Sequence, residues 1–349
     1  TINIFFKHDI EMSFFNFINA KLRRVVMPSV PPIHIIHENS EWLPPFERAF
    51  AARGEDFVDM DLSAGRIDLS AEPPEGLYFN RMSASAHSRG HRYSPEFASA
   101  VIAWLEAHGR PVINGSGAIA LEVNKAAQLA RLTRAGVPVP RTEAALGDAK
   151  VAEAAESFGS GAVILKPNRG GKGLGIQLFE DAREVGDLAR SGGLPETTDG
   201  ITLLQEYVRT TDGSVTRAEF IGGKLFYAVR IDTGGTFELC PADVCAIEDA
   251  VASGGPVFTI VEDAVEPELE AAIEAFLREA RIDVAGVEFA RDASGQPYVY
   301  DVNTNTNYNP DAEAAADVSA PQALVDYLIR ERNRLLAPPR LALNVRSTA

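Results

Sequence analysis

Between residues 162 and 179 the chain reads AVILKPNRGGKGLGIQLF: an apolar run closed by Lys-Pro, four glycines in six positions around a lysine, then a second apolar run. Glycine lets backbone N–H groups come close to phosphate oxygens, and lysine adds charge. The common phosphate motifs do not fit. A P-loop needs GxxxxGK followed by Ser or Thr, and GxGxxG needs a spacing that Gly171, Gly173 and Gly175 lack. Those motifs also open a helix, whereas IQLF after this loop is strand-like. The loop is therefore expected to join two antiparallel strands and to fold over a nucleotide as a lid. Read alone, its alternative is a solvent-exposed hairpin loop.

A chain of 349 residues points to two or three compact units. A net charge of −16 argues against a nucleic-acid-binding surface over the whole protein. No apolar run approaches the roughly 18 residues that span a bilayer, so no membrane partner is expected. Cys240 and Cys245 imply no disulfide framework, and a cytoplasmic location is expected. Residues 1–26, TINIFFKHDIEMSFFNFINAKLRRVV, are rich in Phe, Ile and Asn. Lys7, His8, Asp9 and Glu11 interrupt their apolar residues, which rules against an export signal, and Met27 can serve as a natural start. This arm is a candidate docking or oligomerisation segment, and a homo-oligomer is left open.

From Ile33 short apolar runs alternate with amphipathic helices. Strands are expected at 33–36, 56–60, 77–80 and 111–114, with a helix near 44–53. A second helix is expected over 94–109, capped by Ser94, with Phe97, Val101, Trp104 and Leu105 on its apolar face and Gly109 at its end. Such units favour a small, mainly parallel sheet. One helix near 120–135 then meets GVPVPRT, where the prolines stop it. A helix over 151–159 precedes the glycine stretch, and a strand over 202–208 follows it. TRAEFIGGKLFYAVRI (216–231) and GVEFARDASGQPYVYDVN (286–303) read as hairpins, and 267–282 and 321–336 as helices.

Three further features bear on the lid. Lys125 stands near the start of a helix, some forty residues before Lys166. QEYV (205–208) is a strand followed by a polar turn, a hinge whose backbone can bond an adenine edge. Glu288 lies on the first strand of the late hairpin, with Asp301 and Asn303 two apart on the second and so on one face. Two carboxylates and an amide oxygen suit Mg²⁺, although a lone D-x-N is commonly a turn or surface pair.

In this order the set resembles the ATP-grasp superfamily, and most closely its RimK-like branch, related to the ribosomal-protein glutamate ligase. The resemblance covers about residues 77–310. INGSGAIALEVNKAAQLARLTRAGVPVPRT is similar to the family's Asn-containing strand end, Lys-bearing helix and proline connection. It implies an α/β (α+β) fold: a parallel α/β domain at 33–115 after an atypical arm at 1–32, ATP-grasp subdomains at 116–202 and 203–337, and a tail at 338–349. It implies that Lys125 and Lys166 contact ATP phosphates and that Gly170, Gly171, Lys172, Gly173 and Gly175 form the lid. Glu206, Tyr207 and Val208 would meet adenine; Asp212 is the candidate for the ribose where this chain departs from the family's acid. Arg217 and Arg230 match two arginines of the central strands. Glu288, Asp301 and Asn303 match the magnesium triad, for two Mg²⁺ ions or Mn²⁺ in their place. Val215 stands where the family often has an acid, and TNTNYNPDAE replaces its Ser-Pro-Gly-like turn.

FNRMSASAHSRGHRY (79–93) gathers Arg81, His87, Arg89, His91 and Arg92 in an acidic protein. A guanidinium suits a carboxylate or phosphate, and the resemblance puts Arg81 near the substrate. The expected activity is an ATP-dependent carboxylate–amine ligase acting through an acyl phosphate on an amino acid, peptide or protein terminus. The alternatives are an ATP-grasp small-molecule kinase and a non-catalytic nucleotide-binding regulator.

Overall fold

A computed structural model describes residues 30–171, 173–232 and 257–336. The arm up to residue 29, Lys172, Cys240, Cys245 and the tail at 338–349 lie outside the described residues. By contacts the chain divides into Thr1–Pro31 and Pro32–Ala349, and the architecture below is that of the second unit.

The first sheet is parallel, as the alternating pattern predicts. Strand β1 (Ile33–His37) pairs with β2 (Phe57–Asp61) and β3 (Leu77–Asn80), and β4 (Val112–Ile113) completes the order β2-β1-β3-β4. Every residue of β1 and β3 is buried, the mark of central parallel strands covered on both faces. Helix α1 (Pro44–Ala51) connects β1 to β2, and α2 (Ser94–Ala107) runs between β3 and β4. Ser94 does not cap α2; it is the first helical residue, after Tyr93, which makes no side-chain cap bond. The buried face is also turned from the expected one. It runs through Ala98, Val101, Ile102 and Leu105, with Phe97 and Trp104 at its margin. Gly109, at φ +70, ends the helix as expected.

The helix expected near 120–135 is two helices, α3 (Ser116–Glu122) and α4 (Lys125–Arg134). The Asn124 side chain accepts the Ala127 amide at 3.0 Å, capping α4 and making Lys125 its first residue. The middle of the chain forms a second sheet, antiparallel, of order β5-β8-β6-β7. It contains β5 (Thr142–Leu146), β6 (Val163–Pro167), β7 (Gln177–Phe179) and β8 (Ile201–Glu206). Val163 pairs with Phe179 and Leu165 with Gln177, so the glycine loop does join antiparallel neighbours. Helices α5 (Asp148–Phe158) and α6 (Ala182–Arg190) cover this sheet, packing Val151, Ala155, Val185 and Ala189 on Val163, Leu165 and Leu204.

The third sheet, also antiparallel, has the order β11-β10-β9-β12-β13. Its strands are β9 (Ser214–Ile221), β10 (Lys224–Asp232), β11 (Val257–Val261), β12 (Val284–Arg291) and β13 (Pro297–Asn303). Gly222 and Gly223, both at positive φ, make the tight turn between β9 and β10. Helix α7 (Pro267–Ala280) lays Leu269, Ile273, Phe276 and Leu277 on Phe220, Val287 and Phe289. Each of those four helix side chains is at most 5% exposed, worth about 1.5–3 kcal/mol apiece relative to exposure. After α8 (Pro310–Ala315), helix α9 (Ala320–Leu336) packs Leu324, Val325 and Leu328 into the core with Phe46 and Phe50 of α1.

Asn114, just after β4, joins the first sheet to the third. It is fully buried with φ 55, a left-handed conformation that Asn tolerates better than most residues. Its amide nitrogen donates to Val284 O (2.7 Å) and Thr304 O (3.0 Å). Its amide oxygen accepts from Asp283 N (2.9 Å) and Val284 N (3.1 Å), and its carbonyl takes Asn80 Nδ2 at 2.9 Å.

Candidate active site

The site assembles where β6, α4 and the β12–β13 hairpin meet. Lys125 Nζ bonds Asp301 Oδ1. Lys166, on β6, donates to Gln205 Oε1 at 2.9 Å and to Tyr300 O at 3.3 Å. Both lysines are buried, at 7% and 4% exposure, so each ammonium is held in a poorly solvated place. Burial pushes the Lys166 pKa down to about 8, and the Lys125 charge pushes in the same direction. Asn168 ties the two lysine-bearing segments together. Its carbonyl accepts Lys125 N at 3.2 Å, its side-chain oxygen accepts Ala126 N at 2.8 Å, and its amide donates to Asp199.

Glu288 and Asp301 are directly opposite in the hairpin, next to a bulge between Glu288 and Phe289. Asn303 Nδ2 donates to Glu288 Oε1 at 3.3 Å. Glu288 is 5% exposed, and burial pushes its carboxyl up to about 7 against the pull of the Arg217 guanidinium. Among the described residues no group of three or more His, Cys, Asp or Glu side chains is arranged to hold a metal. The donor set is thus two carboxylates and an amide oxygen, all hard ligands, with the Lys125 ammonium already seated on one carboxylate. That chemistry fits Mg²⁺ of the kind that keeps water and phosphate oxygens as its remaining ligands.

Arg217 of β9 is opposite Glu288 in the sheet and belongs to the same cluster. Its Nη1 is 3.7 Å from Glu288 Oε1 and its Nε 2.8 Å from Glu219 Oε1. It also donates through Nη2 to the Thr306 hydroxyl, which donates onward to Glu219. Glu219 is buried and its pKa is raised by that burial, with Arg217 opposing. Gly286, opposite Glu219, gives the guanidinium its room: a Cβ there would lie 2.6 Å from Arg217 Nε.

Arg230 does not join this cluster. Across the Gly222–Gly223 turn an unbroken register would set it opposite Val215, on the Arg217 face. The register instead slips between Leu225 and Tyr227, leaving Phe226 as an extra residue, and Arg230 pairs with Thr216 on the opposite face. There it is half exposed and bonds Asp212 Oδ2 at 2.8 Å. Asp212 also accepts from Ser214 N and Oγ, which holds its carboxyl below the usual range.

The remaining sequence-derived residues lie outside this cluster. The Glu206 amide bonds Arg141 O (2.8 Å) and the Tyr207 amide Ala162 O (3.0 Å), fixing the hinge to the second sheet. With Val208 they line a depression shared with Tyr298 and the 292–294 turn. In the glycine loop, Gly173 and Gly175 have positive φ. A Cβ on Gly171 would lie 3.1 Å from Ser85 Cβ, so the loop touches the first sheet's connection. Arg169 at its base bonds Glu96 of α2 and donates to Arg92 O at 2.9 Å. Arg81, after β3, is 2% exposed; His87, Arg89 and His91 stand in the turn beyond it, with Arg89 and His91 on the buried Glu38.

Sequence reasoning missed several residues that hold this arrangement. Gln205 receives Lys166, and Gln128 clamps Val302 through both its backbone groups. Buried Glu122 accepts from Ala84 N, Thr304 N and Thr304 Oγ1. Gln128 is three residues from Lys125 and Glu219 two from Arg217, so periodicity alone offered those two.

No protein-family profile matches the chain. A curated relative, a probable alpha-L-glutamate ligase of Aeromonas salmonicida (strain A449), is 25% identical over 290 residues, spanning 82% of this chain and 92% of that protein. Among solved structures, the ATP-grasp ligase PsnB complexed with minimal precursor, Mg and ADP superposes with a TM-score of 0.60 at 18% identity. The match covers 86% of this chain and 97% of that one. The chain has the ATP-grasp fold. The RimK domain ATP-grasp protein of Sphaerobacter thermophilus gives a TM-score of 0.58 at 19% identity over 85% of this chain and 98% of the other. The resemblance to the RimK-like branch thus stands in sequence and in fold. Among the described residues no helix is long and apolar enough to cross a membrane.

Proposed function

We propose that this ATP-grasp chain is an ATP-dependent carboxylate–amine ligase. A carboxylate oxygen of the substrate attacks the γ-phosphorus of ATP and ADP leaves. The acyl phosphate is then attacked by an amine nitrogen, the amine sheds a proton, and phosphate leaves to give an amide. The observation that carries the reading is the convergence of two buried lysines from separate segments on the strand bearing Asp301 and Asn303, opposite Glu288. Two cations beside two carboxylates suit a nucleotide polyphosphate with its metal.

In this reading Lys125 and Lys166 bind the phosphates, and the backbone of Gly170, Gly171, Gly173 and Gly175 closes over them, with Lys172 in the same loop. Glu206, Tyr207 and Val208 take the adenine and Asp212 the ribose. Glu288, Asp301 and Asn303 would hold Mg²⁺, which when bound neutralises phosphate charge. Arg217 fixes the Glu288 carboxylate and lends its charge to the acyl phosphate. Arg230, on the other face of the sheet, stands apart from the acyl phosphate and instead holds Asp212. The name of the A. salmonicida relative, and the structure of PsnB with a precursor peptide, support an amino acid or peptide as substrate.

The test is ADP and phosphate release with Mg²⁺ and pooled amino acids and dipeptides, with and without hydroxylamine, which captures acyl phosphates as hydroxamates. Equal ADP and phosphate with a trapped hydroxamate is expected. ADP without phosphate or hydroxamate would replace the ligase by a kinase. Asp301→Asn should lose turnover with its melting temperature kept, and turnover near wild type would remove the metal assignment.

A further inference from the structure

Strand β13, which carries Asp301 and Asn303, is the outermost strand of the third sheet, and among the described residues only β12 pairs with it. An outermost strand turns a row of backbone N–H and C=O groups away from its sheet. Where they are buried, those groups need partners. On β13 they come from helices and loops. Val299 N donates to Pro138 O at 2.8 Å, the Lys166 ammonium donates to Tyr300 O at 3.3 Å, and Thr304 N donates to Glu122 Oε2 at 2.7 Å. Val302, the residue between Asp301 and Asn303, gives both its backbone groups to one side chain. Gln128 Nε2 donates to Val302 O at 2.8 Å, and Gln128 Oε1 accepts Val302 N at 3.1 Å. The glutamine amide thus takes the place of a peptide unit in a neighbouring strand.

The clamp does more than fill an edge. Gln128 is 1% exposed, and its Nε2 also donates to Leu121 O at 2.9 Å, so the amide is fixed from α3 as well as from β13. Gln128 follows Lys125 by about one turn of α4. One helix therefore grips β13 twice, through Lys125 on the Asp301 side chain and through Gln128 on the Val302 backbone. The Val302 N–H is also shared. It donates to Asp301 Oδ1 at 3.1 Å as well, the same oxygen that takes the Lys125 ammonium. Without Gln128 that N–H would fall wholly to Asp301 and bind the carboxylate back onto its own strand.

We propose that Gln128 is a positioning residue for the metal ligands. Its amide holds β13 in place between Asp301 and Asn303 and draws the Val302 N–H away from the Asp301 carboxylate. The proposal rests on the ligase reading and goes beyond it. In that reading Lys125 serves the nucleotide phosphates and Asp301 the Mg²⁺, so the contact between those two side chains gives way when both are engaged. The Gln128 bonds are made to backbone and persist. Gln128 is then the link that keeps α4 seated on β13.

The test is titration of the full chain with Mn²⁺ in the presence of ADP, with free Mn²⁺ read by electron paramagnetic resonance. Gln128→Asn keeps the amide but shortens its reach by one methylene, and Gln128→Met keeps the length but removes every polar contact. Both should bind Mn²⁺ about tenfold more weakly or worse, as when other groups that orient metal ligands are removed. Gln128→Met leaves the Val302 N–H and C=O unpaired and can cost the fold, in which case Gln128→Asn decides. Val325→Ala opens a cavity in the core that α9 shares with the first sheet. It should lower the melting temperature and keep the Mn²⁺ affinity, which separates positioning from general loosening. Wild-type Mn²⁺ affinity in a folded Gln128 variant, or an equal loss in Val325→Ala, overturns the proposal. A wild-type chain that takes up no Mn²⁺ with ADP sinks the metal assignment of the ligase reading. A wild-type chain that does, beside Gln128 variants that match it, sinks this inference alone.

Discussion

Replacing Gly286 by Ala adds one methyl group at the most crowded point of the site. Its carbon would lie 2.6 Å from Arg217 Nε, 3.0 Å from Nη2 and 3.1 Å from Cζ, all well inside ordinary contact. The guanidinium has little freedom to retreat, because it is 3% exposed and held by Glu219, Glu288 and the Thr306 hydroxyl. Clearing the overlap takes a shift of roughly 1 Å in a packed interior, and overpacking of that kind costs about 1–3 kcal/mol. A displacement of that size at a reacting centre lowers turnover about 100-fold. Thermal unfolding and phosphate release measure the two losses. The decisive comparison is the double variant. With Arg217→Ala already in place the methyl has nothing to strike, so Gly286→Ala should then add little to either loss. Full additivity, or a single variant with wild-type kcat and melting temperature, would refute the argument that this glycine exists to seat the arginine.

Other outcomes follow from contacts elsewhere. Glu96→Gln removes the charge that holds Arg169 at the base of the glycine loop; KM for ATP should rise several-fold while the melting temperature stays near wild type. Unchanged KM would mean that the pair does not help position the loop. Arg332 pairs with Glu55, and Arg53 with Asp326, tying α9 to the turn after α1. Hydrogen bonding from the arginines lowers the pKa of both carboxyls, so their stabilisation is present above the ordinary carboxylate values and is lost as pH falls through the lowered ones. Because Glu55 is partly exposed, the Arg332–Glu55 pair contributes about 1 kcal/mol or less. Arg332→Met should thus be less stable than wild type at pH 7, and the gap should close below the ordinary Glu55 value of 4.5. A gap that persists once Glu55 is protonated in the folded chain would assign it to lost packing.

How much was legible follows from how local each signal is. The β9–β10 and β12–β13 hairpins, and the pairing around the glycine loop, were readable because turn residues and strand patterning lie close together in sequence. Asn124 was visible, but its cap breaks a helix that periodicity joined. Strands β5 and β11 and helices α6 and α8 were missed. They are short, and β5 and β11 lie at sheet edges where burial imposes only a weak pattern. The lysines and the Asp301–Asn303 pair could be singled out by type and spacing. Glu219, Thr306 and Glu122 could not, since their roles depend on groups brought from distant segments. Arg230 shows the limit most clearly. One extra residue, Phe226, reverses which face every later side chain of β10 occupies, and no composition rule announces such a slip.

The five-bond junction at Asn114 bears on how motion between the sheets would be shared. It fastens the first sheet to the start of β12 and to the residue after Asn303. Lys166 and the glycine loop stand instead on the second sheet. In the ligase reading, a hinge between those sheets would change the distance from Lys166 to Asp301 and leave the β12–β13 hairpin fixed to the first sheet.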